Sequence, residues 1–234
     1  LAVIVVAPSA HADIIGPPQP PVITGSIVEA PGLGTFIMTQ PLDEYEYEAD
    51  SGKYKLKGEF IQTIGDFTIT IEEIEWDPDP VLAVTWAATN NSGSTQTLSI
   101  SFSQPGALAG PTLVSGVASL QVLDGSSPAD GATATAPTSG SVFSALIDGV
   151  VVKTLMDDPF TLSAPAGLIG QTMENFTPES GPRVDSSIGI DFSVVVSPND
   201  LIGVMGRVDV VVPEPATVAL LGLGGMFILK RRRR

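Results

Sequence analysis

The sequence predicts an all-β protein: a β-sandwich with Greek-key or jelly-roll-like connections, followed by a single C-terminal hydrophobic helix. Apolar residues alternate with polar ones through most of the chain, which is the period of strands with one buried face. The 24 glycines and 20 prolines are typical of many turns between short strands. With 234 residues and 43% hydrophobic content, the chain can form one domain of ordinary to large size or two small ones.

Residues 1–12 have the features of a signal peptide. An apolar run ends in Ala10-His11-Ala12, the small-x-small pattern after which signal peptidase cuts, and an acidic, proline-rich stretch begins at Asp13. A buried N-terminal strand is the alternative. We expect cleavage between Ala12 and Asp13, and, since no basic residue precedes the apolar run, a signal peptide truncated at its start. The predicted order is signal peptide (1–12), proline-rich linker (13–21), β-sandwich ectodomain (22–212) and C-terminal tail (213–234).

The segment 44–57 is acidic and then basic, and it predicts a hairpin. A turn at Ala49-Asp50-Ser51-Gly52 places Glu48 opposite Lys53 and, on the other face, Tyr47 opposite Tyr54. Opposite charges and aromatic pairs in register each stabilise a two-stranded ladder by about 0.2–1 kcal/mol. The alternative is a charged binding patch.

The next strand changes phase along its length. It begins at Phe67 and alternates as far as Ile71, but the following large apolar residues are Ile74 and Trp76. A β-bulge near Glu72-Glu73 would keep all of them on the inner face. Further strands are predicted at 82–88, 98–102, 112–122, 141–147, 150–155, 187–196 and 201–212, giving roughly ten strands, with Asp148-Gly149 as a two-residue hairpin turn.

Composition excludes several kinds of site. The chain has no cysteine, and its one histidine, His11, lies in the expected signal peptide. The mature chain would therefore lack Ser-His-Asp catalysis and any cysteine- or histidine-ligated metal. Between Asp13 and Val212 there are 25 acidic side chains and 6 basic ones, since Glu214 and the five basic residues at 230–234 lie outside. So acidic a domain should repel nucleic acid and anionic membranes.

The tail has three parts. Pro213-Glu214-Pro215 is stiff and extended because each proline fixes φ and restricts the residue before it. An apolar run at 216–229 follows, about 21 Å long as a helix and so short of the roughly 30 Å hydrocarbon core. The basic cluster 230–234 would stay in the cytoplasm. The sequence thus predicts a marginal anchor with the ectodomain outside.

This order of motif, apolar run and terminal arginines resembles the PEP-CTERM sorting signal of Gram-negative bacteria. The resemblance covers about 23 residues, from Val212 to Arg234. The ectodomain segments Trp76-Asp77-Pro78-Asp79-Pro80, Asn90-Asn91-Ser92-Gly93 and Pro111-Thr112-Leu113-Val114-Ser115-Gly116 also resemble the pattern of many PEP-CTERM ectodomains. The resemblance of the tail has functional implications. It implies recognition by an exosortase, for which Pro213, Glu214 and Pro215 are a substrate site. It also implies a bacterium that makes exopolysaccharide.

Candidate chemistry in the ectodomain is sparse, and we expect no catalytic residue and no cofactor. Asp124 and Asp130 are weak candidates for a calcium loop, although EF-hand spacing is absent and a solvated turn is favoured. Trp76 and Trp86 are candidates for stacking on sugar rings, with Trp86 better explained as core.

Two functions remain open, with a third less favoured. The first is an exported, non-catalytic surface or matrix protein, associated with exopolysaccharide and handled by signal peptidase and exosortase. It would be held transiently in the inner membrane through 216–229, with its ectodomain in the periplasm, before reaching the outer surface or extracellular matrix. The alternative is a carbohydrate-binding or adhesive module. The third is a secreted glycoside hydrolase, for which no spacing shows two facing carboxylates.

Overall fold

The computed structural model describes residues 22–28, 35–39, 44–50, 52–77, 81–125 and 130–213. Every paired strand in these residues is antiparallel, and the strands form two eight-stranded sheets. The strands in chain order are β1 (Val22–Val28), β2 (Thr35–Thr39), β3 (Tyr45–Glu48), β4 (Lys53–Leu56), β5 (Phe60–Ile64), β6 (Phe67–Asp77), β7 (Val81–Asn90), β8 (Gln96–Pro105), β9 (Thr112–Leu123), β10 (Ala132–Thr135), β11 (Ser141–Ile147), β12 (Val150–Asp157), β13 (Thr161–Ala164), β14 (Ile169–Gly181), β15 (Ser187–Val196) and β16 (Leu201–Val211).

The two sheets have the strand order of a jelly roll. Sheet 1 runs β12-β11-β15-β8-β1-β2, with β10 and β13 at one end of β15. Sheet 2 runs β14-β9-β16-β7-β6-β4-β3, with β5 on the outer side of β6. The strands β7-β16-β9-β14 of sheet 2 and β8-β15-β11-β12 of sheet 1 have the order of the two four-stranded sheets of an eight-stranded jelly roll.

One apolar core fills the space between the sheets. Strand after strand buries every second side chain, as β7 and β16 do. The centre of the core is aromatic: the ring of Phe192 lies 5.6 Å from those of Trp86 and Phe143 and 6.3 Å from that of Phe102, edge to face in each case. Edge-to-face contacts suit the quadrupoles of these rings, so they fix Phe192 in one position.

Side-chain contacts connect the edge strands β12 and β14 where the margins of the two sheets approach each other. The N–H of Met156 donates to Glu174 Oε2 at 2.8 Å. Lys153 Nζ lies 2.8 Å from Glu179 Oε1 and 5.8 Å from the centre of the Phe176 ring. These charged groups occupy edges that would otherwise offer free N–H and C=O groups to another strand.

Most predicted strands of the ectodomain are confirmed. The bulge is present between Ile71 and Glu73, and the hairpin of β3 and β4 has the predicted register, with Tyr47 opposite Tyr54. The count of roughly ten strands is too low, since the described residues form sixteen. Leu56 and Phe60 belong to different strands because Gly58 turns the chain between them with a φ of +79°.

The two ends of the sequence are not described. The predicted signal peptide, the linker 13–21 and the C-terminal hydrophobic helix all lie outside the described residues. Within the part that the structure describes, no helix is long and apolar enough to cross a membrane.

Candidate functional site

The last strand lies at the centre of sheet 2. β16 pairs with β7 from Leu201 to Asp209 and with β9 from Leu201 to Val211. Glycine lets it sit close to the core, because a Cβ on Gly206 would lie only 2.4 Å from Phe192 Cζ. The strand that leads to the C-terminal tail is therefore held by hydrogen bonds to β7 and β9 and by its contact with the core at Phe192.

The folded domain ends where the Pro-Glu-Pro motif begins. Val210 is 2% exposed, and Val212 packs against the core, with its Cγ1 3.4 Å from the place of a Cβ on Gly110. Pro213, the next residue, is exposed. No spacer therefore separates the sandwich from the motif.

The end of the sandwich from which the tail leaves is a compact set of loops, here called the C-terminal pole: 106–110, the turn Asp148-Gly149 and 182–186. Backbone bonds join them, from Gly106 N–H to the Ser186 carbonyl and from Leu108 N–H to the Val184 carbonyl, at 2.8 and 2.9 Å. The tail therefore leaves from a surface of fixed shape.

Asp148 holds this pole together. Its carboxylate accepts hydrogen bonds from the N–H groups of Asp185, Ser186 and Ser187 and from the Ser186 hydroxyl, at 2.6–3.2 Å. Burial alone would raise the pKa of this carboxyl, but the combined donors outweigh burial and lower it. The ionised carboxylate of Asp148 therefore stabilises the folded state.

The residues predicted as sites fall into three groups. Pro213 is exposed at the end of the described residues. Glu214 and Pro215 lie outside the described residues, and so do the signal-cleavage residues Ala10, Ala12 and Asp13.

The weak metal candidates are placed at loops. Asp124 Oδ2 accepts the N–H groups of Gly131 and Gly167, at 3.1 and 2.9 Å, and so joins two loops. Asp130 is exposed one residue before Gly131. In the described ranges no three acidic or histidine side chains come together as a metal cluster. Asp124 and Asp130 stay weak candidates for calcium, without further support.

The tryptophans are not available to a sugar. Trp76 and Trp86 are both 0% exposed. Trp76 stacks on Tyr54 with the ring centres 4.3 Å apart, and Trp86 meets Phe192 in the core. The suggestion that they stack on sugar rings is therefore wrong for the folded protein, because the alternation that places them on strands also turns them inward.

Sequence reasoning missed a hollow on the outer face of sheet 2. Two depressions, of about 290 and 200 Å³, share Thr85 and Met205 as lining residues. The depressions form because small residues, among them Ala83, Ala87 and Gly203, face outward on β7 and β16. A single sequence shows these only as ordinary polar-face positions.

One wall of this hollow is acidic. The bulge in β6 turns two consecutive side chains outward, so Glu72 lines the larger depression and Glu73 the smaller. Both are exposed, and Glu73 interacts electrostatically with Lys55 of β4. Arg207, on the floor, is bound to Asp209. The hollow therefore has an acidic wall, part of whose charge Lys55 offsets.

Comparison with known proteins gives one informative match. A family model for the PEP-CTERM protein-sorting motif matches residues 211–234. The chain carries a PEP-CTERM motif. The motif marks an exported, cell-surface-directed protein with a C-terminal sorting signal that exosortase recognises. The match begins at Val211, the last residue of β16, so the PEP-CTERM motif directly adjoins a central strand of the sandwich.

The other comparisons add little. The chain is similar to the Slr1438 protein from Synechocystis sp. PCC 6803, at 10% identity and a TM-score of 0.29 over 79% of this chain and 73% of that one. It is also similar to Arthrobacter globiformis T6 isomalto-dextranase complexed with panose, at 12% identity and a TM-score of 0.22, over 75% of this chain and 25% of that one. No curated protein matches. Resemblances at this level carry no functional argument.

Proposed function

We propose that this chain is an exported, non-catalytic surface or extracellular-matrix protein. In this proposal signal peptidase removes 1–12, the apolar run 216–229 anchors the sandwich transiently at the periplasmic face of the inner membrane, and exosortase then acts at Pro213-Glu214-Pro215. The final location of the sandwich would be the outer surface or the extracellular matrix, in association with exopolysaccharide. The observation that carries the proposal is the junction at Val212, where a complete fold meets the sorting motif.

The test is to replace Pro213-Glu214-Pro215 by three alanines in a strain with an exosortase. Without prolines the apolar helix can extend outward through the site and hide the backbone that a protease must reach. We expect the variant to be exported but to stay in the membrane fraction with its tail attached. The control is Pro165→Ala, an exposed proline in the turn before β14, which should be processed like wild type. Normal trimming and release of the triple-alanine form would contradict the proposal.

The hollow on sheet 2 favours a second candidate function, carbohydrate binding. Its open, shallow shape suits a chain of sugar rings lying across the strands. Because the wall formed by the exposed Glu72 and Glu73 is acidic, the ligand class that fits is a neutral glycan or one with free amines, and a polyuronate would be repelled. A glycoside hydrolase has less support, because these two carboxylates are neighbours on one wall.

A glycan array probed with residues 22–213, with and without calcium, tests this second function. Gly203→Leu should abolish any binding, because the new side chain would occupy the floor, where nothing lies closer to a Cβ than Gln121 at 3.8 Å. Asp157→Asn, at an exposed position on β12 of the other sheet, is the matched surface control. Binding that survives Gly203→Leu would place the glycan elsewhere.

A further inference from the structure

The folded sandwich itself, we propose, limits where the tail can be cut, so that exosortase works in a gap of a few residues between the C-terminal pole and the membrane. No peptide bond before Pro213 is open to a protease while the sandwich stays folded. This inference rests on the proposed processing at the motif and adds the N-terminal limit of the region in which it can occur.

The limit on the N-terminal side comes from β16. A protease binds its substrate as an extended strand whose N–H and C=O groups are free, whereas those of β16 are paired with β7 as far as Asp209 and with β9 as far as Val211. The side chain of Val210 is buried, and that of Val212 packs against the core. A cut before Pro213 would therefore require that a central strand leave the sheet.

The limit on the C-terminal side comes from the membrane. The sequence becomes apolar at Ala216, where the proposed anchor begins. A fully extended chain covers at most about 3.5 Å per residue, so Val212 and Ala216 can be no more than about 14 Å apart. The active-site cleft must accept Pro213-Glu214-Pro215 within that gap, with the C-terminal pole against the enzyme.

The inference predicts the product. The released sandwich should keep the whole of β16 and at least Pro213, and no processed form should end within 201–212. It also predicts steric crowding. The C-terminal pole and the bilayer both lie within a few residues of the motif, so they restrict the space that the enzyme can occupy there. A longer gap should therefore speed cleavage without changing the bond that is cut.

Two experiments test this. In the first, full-length protein in detergent is digested briefly with proteinase K, which has little sequence preference, and the C-terminus of the surviving sandwich is found by intact mass. We expect it at or after Pro213. Gly206→Val, which forces a side chain against Phe192, should open β16 and give cuts within 201–212. Cuts within 201–212 of the wild-type protein would overturn the inference, whatever exosortase does.

In the second experiment, a Gly-Ser spacer of six residues is inserted between Val212 and Pro213, and processing is followed in cells with an exosortase. We expect cleavage several-fold faster, at the same bond relative to the motif. The same spacer after Gly93, an exposed residue with no neighbour within 4 Å of a Cβ, is the control and should leave the rate unchanged. An unchanged or lower rate with the junction spacer would overturn the inference that the short gap limits cleavage. Failure of the sorting proposal would appear separately, as processing of the triple-alanine form.

Discussion

At the scale of single residues, two glycines of β16 have opposite surroundings. A Cβ on Gly206 would lie 2.4 Å from Phe192 Cζ and 3.1 Å from Phe143 Cε2, whereas a Cβ on Gly203 would meet nothing closer than Gln121 at 3.8 Å. Phe192 is held by three other rings and cannot move aside. Gly206→Ala should therefore lower the free energy of unfolding by about 1–3 kcal/mol, as overpacking does.

Gly203→Ala is the matched control on the same strand. It should leave stability unchanged or raise it by about 0.4–1 kcal/mol, because alanine restricts the unfolded chain more than glycine does. Urea unfolding of both variants measures the difference. Equal stabilities of the two variants would show that Phe192 has room to adjust.

Asp148 gives a prediction on pH. Its pKa is lowered in the folded state, so its contribution to stability is present above its unfolded pKa, about 4, and is lost as the pH falls through the folded pKa. Asp148→Asn should remove this contribution, since an amide offers only one acceptor oxygen to these donors. The difference in unfolding free energy between wild type and variant should be positive at pH 7 and shrink below about pH 4. A difference that is constant from pH 7 to pH 2.5 would contradict this role.

At the scale of elements, the β3–β4 hairpin shows what cross-strand pairing predicts well and what it does not. The register follows from the pairing of Tyr47 with Tyr54 and is confirmed. The ion pairs differ from the simple expectation: Lys53 binds Glu75 of β6, and Lys55 Nζ lies 3.1 Å from Glu48, diagonally across the hairpin. A lysine side chain reaches diagonal and third-strand partners as easily as the residue opposite.

This hairpin is attached to sheet 2 through two rings that contact Trp76, those of Tyr54 on β4 and of the buried Tyr45 on β3. β4 pairs with β6 only at Tyr54 and Lys55, and Tyr54 stacks on the buried Trp76 with the planes 9° apart. Tyr54→Ala should cost about 1–3 kcal/mol and speed hydrogen exchange in β3 and β4 before the rest of sheet 2. Tyr47→Ala, at a ring that is 54% exposed, should cost less than about 1 kcal/mol. Exchange that speeds equally in β7 and β16 would show that the hairpin is not a separate unit.

One of the strands that sequence analysis missed, β14, lacks the alternation on which strand prediction depends. β14 is an edge strand in which only Phe176 is buried, so its apolar residues, such as Ile169 and Met173, do not alternate toward the core. β15, buried in the centre of sheet 1, was placed at 187–196 without error. Period-2 alternation reports burial on one face, and an exposed edge strand has little of it.

At the scale of the whole molecule, the position of the last strand makes folding depend on the C-terminal part of the domain. β16 lies between β7 and β9, so a fragment ending at residue 200 would have a gap in the middle of sheet 2. We expect 22–200 to be unfolded and 22–213 to be folded. Far-UV circular dichroism and amide chemical-shift dispersion distinguish the two states. A folded 22–200 would mean that the rest of sheet 2 closes without its central strand.

The sites were predictable to different degrees. The sorting motif is a contiguous run from Pro213 to Pro215 with fixed backbone chemistry, so a single sequence is enough to find it. The hollow is assembled from β6, β7, β9 and β16, which come together only in the folded sheet. Its floor depends on which side chains are small on neighbouring strands, and no local pattern reports that.

The junction at Val212 also decides how the protein carries load. While the tail still anchors the protein, any pull on the tail enters along the axis of β16. The ladder bonds lie perpendicular to that axis on both sides, so the strand can move only by shearing many of them together, whereas a pull on the edge strand β12 would unzip them one at a time. The sandwich is therefore mechanically strongest in the direction in which its own tether pulls.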